Sequence, residues 1–252
     1  MKHALFPVTL AGVLLLGGCS DPATQLELKG GVAVSFATRS PALAPGFSPS
    51  RTYALLDDTL IAGSDTLIVT QARLVLRDIE LKPAESATCD DSVGSDCEEI
   101  ELGPVLVELP LVAGAEQQFA IEVPAGSYSE IDFEIHKVGD DPDDLAFLAQ
   151  HPGFEDISIR VDGTFNGTPF TFTTDVNEEQ ELALVPALVV GDSTTTNVTI
   201  FVRIDSWFRA ADGSLIDPAT ANVGGVNKSL VDGNIKESLD AFEDGDGDGR
   251  ED

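Results

Sequence analysis

The sequence predicts an all-β protein, one sandwich or two β halves, with a single amphipathic helix near the C-terminal end. Three observations carry this. Apolar and polar residues alternate at period two in segment after segment, most cleanly where Ile131, Phe133 and Ile135 interleave with Glu130, Asp132, Glu134 and His136. Asn166-Gly167 sits between two alternating runs and is the strongest short hairpin signal. Helical spacing is confined to one acidic interruption and one C-terminal stretch, which leaves about nine strands and little helix.

Composition bounds the rest. The 252 residues carry 44 acidic against 14 basic side chains, a formal charge of -30, while 42% hydrophobic content supplies a core. Such acidity excludes a nucleic-acid partner, because phosphate contacts need clustered Lys and Arg.

The first element is an address. Lys2 precedes an apolar run over residues 4–16, too short to span a bilayer and suited to a secretory signal peptide over 1–18. Leu16-Gly17-Gly18-Cys19 resembles the lipobox of bacterial lipoproteins, which implies acylation of Cys19 and a lipidated tether over 19–27. Several acyl chains, at about 0.8 kcal/mol per buried methylene, hold such a protein on a membrane. Ser20 stands where an aspartate would favour inner-membrane retention, so the outer membrane is the expected location.

A first β half follows over 28–138. Val32, Val34 and Phe36 alternate with Ala33 and Ser35, giving one buried and one less buried face. Prolines and glycines over 41–64 read as an irregular connection. Residues 66–82 are too long and unevenly phased for one flat strand, so a bulge near Arg77 is expected. Once Cys19 is given to lipid, Cys89 and Cys97 are an even pair in CDDSVGSDC, and a disulfide is their natural use in an oxidising envelope. Two strands over 100–109 and 119–123 lead to a turn at Pro124-Ala125-Gly126 and the Ile131–Ile135 strand.

A connecting segment over 139–156 is expected to hold a short helix. The second β half, 157–208, contains the Asn166-Gly167 hairpin with Phe170 and Phe172 on its return. Strands over 181–190 and 197–208 end it, the last with Val198, Ile200, Val202 and Ile204 on one face. In the loop-and-helix segment 209–243, Val231, Ile235, Leu239 and Phe242 recur at helical spacing, and residues 244–252 form an acidic tail.

The stretches 73–82, 105–111, the Pro124-Ala-Gly-Ser-Tyr128 turn, Ile131–Ile135 and the 157–173 hairpin resemble a family of bacterial envelope lipoproteins with a domain of unknown function. The resemblance covers roughly residues 28–206 and leaves out 207–252. It implies a prealbumin-like or immunoglobulin-like sandwich and brings no catalytic residue.

Chemistry-bearing constellations are few. Asp244, Asp246, Asp248 and Gly249 match positions one, three, five and six of an EF-hand calcium loop, with Asp252 three further on and a helix expected to lead in. The bidentate Glu of position twelve would fall beyond Asp252, so calcium would be held weakly; the alternative is a solvated acidic tail. His136, with Glu134, Asp132 and the acids 140, 141, 143 and 144, reads either as a metal or acid/base cluster or as the solvent dressing of a half-buried strand. His151 reads as a loop residue. Trp207-Phe208-Arg209 reads as core at a sandwich edge or as a sugar-stacking surface. No GxSxG, HExxH or Gly-rich phosphate loop is present. The expectation is a non-enzymatic, lipid-anchored binding or structural module whose partner is an unknown envelope protein or carbohydrate. The alternatives are a calcium-assisted surface adhesion or carbohydrate-binding protein and a carboxylate-dependent hydrolase.

Overall fold

The computed structural model describes residues 29–38, 59–84 and 103–251. These residues form eleven strands: β1 Lys29–Ala37, β2 Thr59–Ala62, β3 Asp65–Pro83, β4 Val105–Glu108, β5 Ala115–Pro124, β6 Gly126–Ile135, β7 Ile159–Phe165, β8 Thr168–Thr174, β9 Glu178–Val190, β10 Thr195–Val202 and β11 Leu239–Glu243. Helices α1 Pro142–Leu148, α2 Ile204–Trp207 and α3 Lys228–Lys236 lie between them. The predicted all-β sandwich is what the strands build: a four-stranded sheet in the order β11-β10-β1-β5 faces a seven-stranded one, β8-β7-β3-β6-β9, in which β2 and β4 also pair with β3.

The segment expected to separate two halves separates them in sequence and not in space. β3 pairs with β7, β6 with β9, and β1 runs parallel to β10 with Val34 opposite Val198. One core therefore draws on both: Val32, Val34 and Phe36, Ile131, Phe133 and Ile135, Phe172, and Val198, Ile200 and Val202 are all buried. Fully burying each large apolar side chain contributes about 1.5–3 kcal/mol before the cost of ordering it.

Local chemistry sets the turns. Asn166 and Gly167 take φ of 50° and 78°, the left-handed pair that a two-residue hairpin demands, and Asn166 and glycine tolerate it. Around the expected kink, β3 breaks register between Arg77 and Glu80, with Asp78 at φ 51°. The Pro124–Gly126 corner is closed by Tyr128, whose hydroxyl donates to the Pro124 carbonyl at 2.6 Å.

Three expectations are corrected. The β1 residues Ala33, Ser35 and Ala37 are as buried as their core-facing neighbours, because β1 lies inside its sheet and both of its faces are covered. The strand expected to run to Phe208 stops at Val202; α2 then turns Trp207 and Phe208 into the core, 1% and 0% exposed, where Phe208 meets Phe172 edge-on at 5.0 Å. That burial removes the sugar-stacking reading. The C-terminal helix is real but shorter: α3 buries Val231 and Ile235 and ends at Lys236, while Leu239 and Phe242 belong to β11. Ser238 breaks the helical run, since its buried hydroxyl accepts from the Trp207 indole at 2.7 Å and fixes the chain on its way into β11.

No helix of the described residues is long and apolar enough to cross a membrane. Cys19, the Cys89–Cys97 pair and Asp252 lie outside the described residues.

Candidate functional site

Two acidic clusters stand out, and different physics builds each. The first is the loop after β11. A strand, not the expected helix, leads into it, and Asp244 is completely buried instead of solvated. Its backbone continues the β10 pairing, donating to the Asn197 carbonyl at 3.1 Å. The Asp244 carboxylate is held from within: Oδ1 accepts the Asp248 N–H at 2.9 Å, and Oδ2 accepts the Gly249 N–H at 2.9 Å and the Thr199 hydroxyl at 2.7 Å. Asn197 donates to the Asp244 carbonyl at 2.8 Å and accepts from Ser35 at 2.7 Å, so the loop is laid against the outer face of the four-stranded sheet. Gly249 is required there: at φ 81° an added Cβ would come within 3.4 Å of the Ala37 Cβ and closer still to the backbone at Gly114. Asp244, Asp246 and Asp248 each offer a carboxylate oxygen within 4.8 Å of one another.

The second cluster caps the other sheet where β6 ends. Val75, Val138, Phe147 and Phe154 form a small apolar core of their own that seats α1 over the sheet. Asp141 caps α1 by accepting the N–H groups of Asp143 and Asp144, and it pairs with Arg77 at 2.9 Å. These amide bonds, with the Arg77 guanidinium, hold its carboxyl below the usual range. The capped helix presents Asp144, 1% exposed, to His136, 7% exposed, with Nε2 and Oδ1 at 2.8 Å. The other Asp144 oxygen accepts the Gly139 N–H. His136 Nδ1 has no hydrogen-bond partner and faces Glu134 Oε2 at 3.4 Å. His136, Asp141 and Asp144 also offer ligand atoms within 4.8 Å of one another, although Arg77 and the helix cap already engage Asp141.

Asp132 lies two residues back on β6. It is 4% exposed, its Oδ1 has no partner, and Lys82 approaches Oδ2 at 3.4 Å. Desolvation, reinforced by Glu130 and opposed by Lys82, raises its pKa to about 6.

The reading of 132, 134 and 136 as solvent dressing therefore fails at its two ends, since Asp132 and His136 are both buried. His151 packs its ring on Phe147 at 4.7 Å and takes no part in the cluster. Sequence reasoning missed the partners that make the first site: Thr199 and Asn197 reach Asp244 from 45 and 47 residues away, and no local pattern signals them.

No protein-family model, curated protein or solved structure matches this chain.

Proposed function

We propose that the chain is a bacterial envelope lipoprotein whose sandwich is a non-enzymatic binding or structural module, anchored through acylated Cys19. The observation that carries this is Leu16-Gly17-Gly18-Cys19 closing an apolar leader, with β1 starting soon after at Lys29. At about 3.3–3.6 Å per residue, residues 20–28 reach about 30 Å at most, so the Lys29 end of the sandwich stays near the lipid. β1 runs from Lys29 to Ala37, beside which Gly249 packs. β6 starts just past Pro124, the residue paired with Lys29, and runs back to deliver His136. Gly249 of the first cluster and His136 of the second thus lie toward the end turned away from the anchor. The test is expression of the full chain and of Cys19→Ser in a bacterial host, followed by palmitate labelling and detergent-phase partition. Label and detergent partition in the first and neither in the second support the reading. Equal partition of both would overturn it.

A second reading, calcium-assisted adhesion or carbohydrate binding, draws on the convergence of Asp244, Asp246 and Asp248. Hard carboxylate oxygens suit calcium, and Asp244 Oδ1, which takes one hydrogen bond, keeps a lone pair to offer. Millimolar calcium should raise the melting temperature of the wild type and not of Asp246→Asn; no rise in the wild type removes this reading. The hydrolase reading would need two carboxylates with separated pKa values in a concave site, and Asp132, the carboxylate raised to about 6, is buried.

A further inference from the structure

The ring nitrogens of His136 present an imbalance that the proposed anchoring role does not use. Asp144 accepts the Gly139 N–H with one oxygen and meets His136 Nε2 with the other, so an ionised Asp144 fixes the proton on Nε2. In the neutral imidazole Nδ1 is then left with its lone pair, and it faces a carboxylate oxygen, Glu134 Oε2, 3.4 Å away. Two acceptors facing each other in a site where His136 is 7% exposed repel unless a positive charge lies between them. Nδ1 makes no hydrogen bond, so the approach lacks the geometry of a proton shared between the two.

The spacing fits a metal ion instead. Ligands bound at about 2.0–2.2 Å around a tetrahedral ion stand about 3.3–3.6 Å apart, and the Nδ1 to Oε2 distance of 3.4 Å falls in that window. Neighbouring groups orient both ligands. Asn177 donates to Glu134 Oε1 at 2.6 Å and aims the other oxygen at Nδ1. Asp144 orients the imidazole from behind, the carboxylate–histidine–metal arrangement that fixes the tautomer and raises ligand basicity. Arg77, opposite Glu134 in the β3–β6 register, is paired with Asp141 and Asp78. Nδ1 itself is buried and Glu134 is 26% exposed along its side chain, so water completing the coordination would enter from the Glu134 side.

We propose that His136 Nδ1 and Glu134 Oε2 bind a borderline divalent metal of the zinc class, with Asp144 positioning the imidazole. An imidazole ligand selects against calcium and magnesium, so this site and the Asp244 loop differ in the ion they would take. The inference does not depend on the anchor.

The test is calorimetric titration of the full chain in detergent with zinc, beside cobalt(II) as a spectroscopic substitute. One specific zinc per chain and a tetrahedral cobalt spectrum are expected. Both should be lost in Glu134→Gln and His136→Gln, weakened about 10–100-fold in Asp144→Asn, and kept in Asp246→Asn. Failure of the wild type to take up zinc, or uptake unchanged in Glu134→Gln, would overturn the proposal. If the buried His136→Gln variant does not fold, Glu134→Gln decides by itself.

Discussion

Asp244 and Asp132 are two carboxylates buried to nearly the same degree, at 0% and 4% exposure, on the outer faces of opposite sheets, and they are handled in opposite ways. Asp244 receives two backbone N–H groups and a hydroxyl. Asp132 has an oxygen without any partner and one ammonium at 3.4 Å. Burial alone therefore says little about what a carboxylate contributes. Hydrogen bonds to both oxygens make the first a fastener, while desolvation makes the second a standing cost that is relieved by protonation.

The largest expected effect breaks the fastener. Asp244→Ala strands the Thr199 hydroxyl and the Gly249 N–H and leaves the Asp248 N–H with its 3.2 Å bond to Asp246 alone, and at about 1–3 kcal/mol per unsatisfied group, summed with less than full additivity, it should cost about 3 kcal/mol. Urea unfolding in a chelating buffer would show this as a lower midpoint at an unchanged slope. A loss under about 1 kcal/mol would mean that those bonds do not hold the loop.

Asp132→Asn should act in the other direction. With its pKa raised to about 6, the native state binds the proton more tightly than the unfolded chain does. Stability from this group is complete below about pH 4 and is lost as pH rises through about 6. The amide removes that loss, so the variant should gain about 1 kcal/mol at pH 7 and nothing at pH 4. The gain is less than the full shift would give because Lys82, 41% exposed, brings water to the pair. Unfolding curves at the two pH values measure the difference, and equal effects at both would remove the asymmetry.

The smallest effect sharpens the contrast. Asp246 is exposed and accepts only the Asp248 N–H at 3.2 Å, so Asp246→Ala in chelator should change stability by less than about 0.5 kcal/mol. A larger loss would show that the whole loop, and not Asp244 alone, is the fastener.

Much of the fold was legible because its signals are local. Alternation located β6, Asn166-Gly167 located the β7–β8 hairpin, and uneven phasing located the kink in β3. The errors came where a distant partner overrides a local pattern. Leu239 and Phe242 keep helical spacing with Ile235, yet pairing with Val202 and Thr199 of β10 draws them into a strand. Ser35 reads as part of a less buried face until Asn197 and the Asp244 loop cover it. At the candidate sites, Asp244, Asp246 and Asp248 were visible as a spaced motif. The pairing of His136 with Asp144 was hidden among neighbouring acids, because only the seating of α1 selects which one meets the ring.

The parallel pairing of β1 with β10 sets an order of events for the chain. Its four-stranded sheet joins residues 29–37 to 195–202 and 239–243, so the earliest strand waits for the latest ones. A chain emerging N-terminus first, from a ribosome or through a membrane channel, cannot close this sheet until nearly all of it is through. Until then β1 has β5 as its one sheet partner, and a chaperone that shields its Val32, Val34 and Phe36 would protect the step most exposed to misassembly.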